Sequence, residues 1–464
     1  MLMAAADQTL LATATPAIAA SLGGLRDTSW IAIAYLLASA TIVPVYGRLG
    51  DLHGRRNMLL VALAIFALGS LACGLAQSFP QLVVARVLQA LGGGGLMTLS
   101  QAIIGELVPP LERVRFQGYF ALVFTTASIG GPVIGGIVVS HFSWRWLFLA
   151  NLPFAAFAAW RLCRLPPGDR HPRAAGSDIP GHLLFAVGAI STLFWLTSVG
   201  HRFTFLSPSG IALLATGIVC LAALYWHERR HAAPFLPVDL LRDQTIKLSA
   251  VLVMLFAACM FSMVFFLPIY LQLGHQMSAQ LSGLLLLPMT AGQVTAALTA
   301  ARLIRRSGEP HYIPVIGMWI ASVALLLLGL LPPHMVRVIV LGFLTGIGLG
   351  TVMSVNQVIV QTVAGRARLG SATAMTALAR STGGAAGAAV FGALVFAMIP
   401  NVDRQSLVRH ASEFDMAIVV EAFHRGFLFA SAIAALAALT ANRIPHISLH
   451  APPTVRVDDN PAKR

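Results

Sequence analysis

The chain has 464 residues, of which 57% are hydrophobic and only 10% charged; soluble domains carry about a quarter charged residues, so a string of soluble domains is excluded. A formal net charge of +14 suits either nucleic acid or a membrane surface. The basic residues fall in alternate loops without interleaved aromatics, which indicates membrane topology and excludes nucleic-acid binding.

Apolar runs of about 20 residues, long enough to cross ~30 Å of hydrocarbon as helices, lie near 1–22, 29–47, 57–77, 79–106, 115–140, 144–163, 181–200, 207–227, 248–272, 281–303, 312–331, 335–362, 369–398 and 420–442. Met1–Leu22 has no basic n-region and further spans follow, so it reads as a span and not as a cleaved leader. The polar, Pro-containing stretch 443–464 reads as a short disordered tail. With the N-terminus inside, 22 of the 31 Lys and Arg fall in inside loops, 7 in outside loops and 2, Arg86 and Arg380, within spans. That bias predicts an even number of spans with both ends cytoplasmic. Cys73, Cys163, Cys220 and Cys259 sit in or beside apolar runs without CxxC spacing. They read as buried small hydrophobes, with no disulfide framework or metal site implied.

Three motifs recur at nearly one offset. Arg48-Leu49 and Gly54 return as Arg302-Leu303 and Gly308; Gly94, Met97 and Gln101 as Gly350, Met353 and Gln357; Ser128, Gly130 and Gly131 as Ser381, Gly383 and Gly384. Two parallel halves of six helices follow, with the seventh and eighth spans inserted between them, a transporter design that permits rocking. The expected fold is all-α and polytopic: an N-terminal bundle over 1–163, an insert over 164–247, a C-terminal bundle over 248–442 and the tail.

Asp7 is a carboxylate inside an apolar span, away from its ends. Desolvation favours a carboxyl's protonated form, so such a group can take a proton from one side and release it to the other; a solvated residue near the chain start is the alternative. After the second span, Gly47 to Arg56 reads as a tight glycine turn in which Asp51, Arg55 and Arg56 form a charge cluster able to hold one conformation shut, or as ordinary positive-inside residues. Arg86 lies about two turns inside the fourth span, with Gln89 and Gly93 on its face; snorkelling to the surface is the alternative. Counting depth along each helix puts Asp7 about 12 Å deeper than Arg86, so two separate polar points are expected, not a tight pair. In the fifth span, Gly130-Gly131-Pro132 and Gly135-Gly136 combine a GxxxG packing face with a kink, or serve close packing alone.

Together these residues resemble the major facilitator superfamily, in particular its fourteen-span drug:proton antiporter family, over nearly the whole chain. Gly47–Arg56 is similar to the superfamily's loop motif, Arg86 with the following glycines to the fourth-span motif linked to proton coupling, and Gly130–Gly136 to the exporter motif. Asp7-Gln8-Thr9 through Pro16, Trp144-Arg145-Trp146 and Asn151-x-Pro153 are similar to features of the fourteen-span branch. The resemblance implies export in exchange for protons by alternating access, with Asp7 and Arg86 in proton coupling. It implies that Glu106 and the Arg55–Arg56 pair join Asp51 in a cytoplasmic gate with Gly47 and Gly54. Fewer residues precede Asp7 than is usual in the family, which implies an upstream start or a short first helix.

A cavity between the halves is expected to use Gln89, Met97, Gln101, Phe265, Gln293, Asn356 and Gln357, apolar walls holding a lipophilic substrate and amides orienting it. Gly-Lys-Ser/Thr is absent, so a proton gradient and not ATP is the expected driver, without a cofactor. No catalytic or metal-ligand arrangement recurs within the spans, which argues against an enzyme. Expected partners are a lipophilic substrate, protons and the bilayer of the inner membrane, with the chain a monomer; periplasmic adaptor proteins stay open as partners. Export of one endogenous product, such as a lipid or siderophore, and proton symport stay open as alternative functions.

Overall fold

The structure is a computed structural model that describes residues 1–22, 29–165, 178–198, 207–231, 238–275, 277, 279–331, 334–365, 368–396, 398 and 416–447. Arg26, Arg170, Arg173, Arg202, Arg366, Arg404, Arg409, Arg456, Lys463 and Arg464, which entered the charge count, lie outside the described residues, as does the tail from 448. The side chains of Gln8, Thr9, Pro16, Ser128 and Pro132 lie outside them too.

The described residues are helical throughout, as long apolar segments must be where no water can satisfy the backbone. In chain order the helices are α1 (Leu2–Leu22), α2 (Ser29–His53), α3 (Arg55–Leu75), α4 (Phe79–Leu107), α5 (Pro110–His141), α6 (Arg145–Leu149), α7 (Asn151–Cys163), α8 (Ile179–Ser198), α9 (Pro208–Arg230), α10 (Gln244–His275), α11 (Ala279–Leu284), α12 (Leu287–Ser307), α13 (Tyr312–Leu330), α14 (Met335–Ala364), α15 (Leu369–Phe396) and α16 (Met416–Asn442). Among the described residues, 11 segments are long and apolar enough to cross a membrane, with α6–α7 and α11–α12 each forming one of them. α1, α5 and α8, of 21, 32 and 20 residues, lie alongside.

Within the first half α3 packs on α4, α4 on α2 and α1 on α5; within the second, α12 packs on α14, α10 on α15 and α13 on α14 and α16. Pairings echo across the repeat. The Gly383–Gly384 stretch of α15 presses against Met254 and Phe261 of α10, as α5 lies on α1. The two repeat-related glycines both have positive φ, 88° at Gly54 and 72° at Gly308, the side that a Cβ disfavours, but their ψ differs, 129° at Gly54 and −2° at Gly308. Each compresses a connection between two helices to a hard turn. The turn expected over Gly47–Arg56 is therefore confined to Gly54, and Gly47 to His53 continue α2 as helix.

These turns mark one end of the molecule, called here the basic end because Arg48, Arg55, Arg56, Arg302, Arg305 and Arg306 cluster on or beside them. The halves meet mainly toward that end. Gly47 abuts Gly370 and Ala374, Gly118 of α5 abuts Leu298 of α12, and Gly105 abuts Gln361. The inserted helices form an antiparallel pair, and α8 lies against both α2 and α15. Phe185 and Ala189 pack there with Val45 and Leu378, so the insert rests on the seam between the halves.

Of the cysteines, Cys73 and Cys259 are buried, whereas Cys163 is exposed and Cys220 half-buried; burial accounts for only two of the four.

Helix packing this close has a measurable consequence. A Cβ at Gly346 would collide with the Met289 carbonyl, whereas one at Gly136 would meet nothing within 4 Å. Gly346→Ala should therefore lower the unfolding temperature in detergent by several degrees. Gly136→Ala should stay within about 1 kcal/mol of the parent, the scale of helix propensity alone.

Candidate functional site

The strongest concentration of buried polar chemistry lies inside the first half. Asp7 of α1 is 2% exposed and Arg86 of α4 is 1% exposed, and they form a direct ion pair, Arg86 Nη1 to Asp7 Oδ2 at 2.5 Å. Gln89, one turn along α4, closes the triangle: its Nε2 donates to Asp7 Oδ1 at 2.8 Å, and its Oε1 accepts from Arg86 Nη1 at 2.6 Å. Gln89 Nε2 also donates to Ser70 Oγ of α3 at 2.8 Å. Asn151 at the start of α7 points its amide at Ser70 Oγ (3.4 Å) and Asp7 Oδ1 (3.5 Å). On the other side Arg86 Nε donates to the Ile31 carbonyl at 3.4 Å, and its guanidinium lies 4.3 Å over the Tyr35 ring. α1, α2, α3, α4 and α7 thus converge on one carboxylate. Charges taken out of water are tolerated only when paired and hydrogen-bonded, and both conditions hold here.

The separation of about 12 Å expected between these charges is not observed. That count placed each charge at its Cα. The guanidinium instead stands at the end of a long side chain, and its Nη1 meets both the Asp7 carboxylate and the Gln89 amide oxygen.

A second cluster sits at the basic end and joins the halves. Asp51, in the last turn of α2, accepts from Arg55 Nη2 at 2.6 Å, and Arg55 Nη1 reaches Glu106 Oε2 of α4 at 2.7 Å. The Asp51 carboxylate also faces the start of α15 in the other half. It accepts from the Gly370 N–H at 2.8 Å and from the N–H and Oγ of Ser371, both at 2.9 Å. First-turn amides of a helix lack intrahelical partners and carry the positive end of its dipole, so an anion is well placed there. Gly370 is required by proximity, since a Cβ would strike the Gly47 carbonyl. Arg56 departs from the expected network. It donates to the Leu162 and Cys163 carbonyls at 2.9 and 2.8 Å, satisfying the end of α7 instead of joining Asp51. A further tie crosses the halves from Gln361 Nε2 to the Gln101 carbonyl at 3.2 Å.

The expected cavity residues scatter. Gln89 belongs to the Asp7 cluster. Gln101 is buried with its carbonyl engaged, and Met97 packs within the first half. Phe265 is 53% exposed, and its ring lies tilted beside that of Phe261, 5.8 Å between centres. Asn356 donates to the Ser249 carbonyl at 3.3 Å, and Gln357 exchanges hydrogen bonds with Thr373 and Thr376 of α15. These two amides join helices within the second half and do not face an opening. Gln293 does line a crevice between the halves, with Gln117 of α5, Phe256 of α10, and Leu349, Met353 and Ser354 of α14. Gln117 was missed by the sequence reading, as were Ser70 and Ser371. Its one signal is an amide in an otherwise apolar stretch. Of the glycines in α5, Gly131 and Gly135 are buried and Gly130 half-buried, while Gly136 is exposed, consistent with one packing face.

Comparison with known proteins follows this geometry. The family description Major Facilitator Superfamily matches residues 1–184 and 175–388. The multidrug transporter protein MdtP of Bacillus subtilis is 31% identical over 410 residues, covering 88% of this chain and 76% of that protein. The MFS-type transporter Rv1877 of Mycobacterium tuberculosis is 34% identical over 397 residues, or 85% of this chain; the match spans 58% of the length of that relative. Among solved structures, the proton:xylose symporter XylE superposes with a TM-score of 0.64 at 15% identity, covering 97% of this chain and 94% of XylE, a likeness of fold. The chain belongs to the Major Facilitator Superfamily, and its architecture is that of a multi-pass membrane transporter.

Two predictions test the clusters. Asp7→Asn and Arg86→Met should each destabilise the protein by about 3–5 kcal/mol, because each strands a buried charge. The double variant should lose clearly less than the sum, read by thermal unfolding in detergent. Asp51→Asn removes the anion from the α15 start, worth about 1–2 kcal/mol. It should raise labelling of a cysteine placed at Ser371 by a water-soluble maleimide roughly tenfold.

Proposed function

We propose that this superfamily member exports lipophilic small molecules across the cytoplasmic membrane in exchange for protons, with Asp7 as the proton carrier. The observation that carries the reading is the buried Asp7–Arg86 pair, cross-braced by Gln89. An ionisable group within a membrane helix is costly and is a functional site by default. The relative named a multidrug transporter supports drugs or similar lipophiles as the substrate class.

The three-to-one bias of basic residues supports a cytoplasmic location for the basic end and for both chain ends. In the conformation described, that end is latched by Asp51 on α15. A proton arriving from the opposite face neutralises Asp7 and ends its attraction for Arg86. The guanidinium keeps only its neutral contacts to Gln89, Ile31 and Tyr35, and the cost of a buried charge without its counter-ion favours a rearrangement that releases α1 from α4. Loosening α1 biases the halves to rock and break the weaker ties at the basic end, admitting substrate from the cytoplasmic side. Loss of the proton to the cytoplasm re-forms the pair and favours return. Phe256, Leu349 and Met353 offer apolar contact and Gln117, Gln293 and Ser354 polar orientation along the crevice, which has about 20 Å³ of open space in this conformation and must widen before an uncharged lipophile can enter.

Everted membrane vesicles test the reading. With an imposed proton gradient, the parent should accumulate compounds from a panel of dyes, antibiotics and lipids. Asp7→Asn, at matched amounts of folded protein, should fall to the level of vesicles lacking the protein while still binding the compound. Full accumulation by that variant would overturn Asp7 as the carrier. Accumulation of a single compound would identify a dedicated exporter, and accumulation only under the reversed gradient would identify a symporter.

A further inference from the structure

We infer that the base of the inserted helix pair is a binding site for a divalent transition-metal ion of the zinc type, held by Asp178, His227 and His231. This site stands apart from the export reading. The sequence reading found no metal-ligand set, because Asp178 and His227 are separated by 49 residues.

The fold brings them together. Asp178 immediately precedes α8, where its Oδ1 accepts from the Gly181 N–H at 2.9 Å. His227 lies in the last turn of α9 and His231 follows its end, an i, i+4 spacing that puts both imidazoles on one face. Because α8 and α9 pack as an antiparallel pair, the start of one meets the end of the other. His227 Nε2 lies 2.7 Å from Asp178 Oδ1, the two imidazoles are 5.2 Å apart between ring centres, and one ligand atom from each of the three residues falls within 4.8 Å of the others. Tetrahedral zinc with bonds of about 2.0–2.2 Å holds its ligand atoms about 3.3–3.6 Å apart, so the 2.7 Å contact between His227 and Asp178 would open by about 0.6–0.9 Å. The ion would take the place of the proton now shared by Asp178 and His227.

The surroundings favour a cation. Asp178 is 0% exposed. Burial works against its charge, yet the Gly181 N–H, the His227 hydrogen bond and the nearby His227 and His231 hold its carboxyl below the usual carboxylate range. The neighbouring Arg229 and Arg230 are turned onto the Tyr225 and Trp226 rings, at 5.6 and 4.5 Å, which keeps their guanidiniums from competing. The His182 ring nitrogen is bonded to the Asp178 carbonyl and fixes the loop that carries the carboxylate. His227 is 28% exposed, which leaves a face open for an ion to enter and for water to complete its shell. Imidazole with carboxylate selects Zn²⁺, Ni²⁺ or Cu²⁺ over Mg²⁺ or Ca²⁺.

The test is titration of Zn²⁺ into untagged, chelator-treated full-length protein in detergent, followed by calorimetry and thermal unfolding. One equivalent should bind saturably and raise the unfolding temperature, while Mg²⁺ does neither. His231→Ala, which leaves the Asp178–His227 and Asp178–Gly181 bonds in place, should weaken binding by about tenfold or more, as should Asp178→Asn. Absence of saturable Zn²⁺ binding by the parent, or unchanged affinity in a His227→Ala/His231→Ala variant, would overturn the assignment.

Discussion

A charge inside hydrocarbon must find its counter-charge within the protein, and the first half of this molecule is organised around that requirement. Asp7 and Arg86 come from helices far apart in sequence, yet the pair is braced from three further elements, through Ser70 of α3, Asn151 of α7 and the Ile31–Tyr35 face of α2. Five helices are thereby tied to the protonation state of one oxygen. An uncharged Asp7 would not merely lose one bond; it would change what each of those neighbours holds.

The second half repeats the backbone without repeating the chemistry. The turn glycines Gly54 and Gly308 both have positive φ, and α14 packs on α12 and α13 as α4 packs on α2 and α3. Carrying the repeat offset forward, Asp7 corresponds to the neighbourhood of Phe261 and Arg86 to that of Gly342. The ionisable pair therefore has an apolar counterpart, and amides and hydroxyls of the second half, such as Gln357 with Thr373 and Thr376, join helices, with Arg380 a separate basic residue within α15. The first half holds the ion pair and the second supplies most of the crevice wall.

The helices were legible in the sequence because hydropathy and length are properties of the segment itself: the described helices lie within a few residues of the apolar runs, apart from extended ends such as Gly47–His53. The internal repeat was legible for the same reason, since glycine at a turn is a local demand. Pairings were not. The meeting of Asp7 with Arg86 depends on which way a long side chain runs, and the partner of Asp51 is a pair of backbone amides with no signature in residue type. Amides such as Asn356 and Gln357 look alike in sequence whether they line an opening or bridge two helices; packing alone separates the two.

The latch on α15 is lopsided in a way that bears on how the protein can change over time. Asp51 supplies a specific carboxylate, but what it grips is chiefly main chain, the amides of Gly370 and Ser371. Gly370 is held to glycine by the closeness of the Gly47 carbonyl, whereas the amide at Ser371 would still be offered to Asp51 after its side chain had changed. A single change at Asp51 loses it outright. Mutational tolerance is thus divided unevenly across one contact, nearly nil at Asp51 and Gly370 and wider at Ser371.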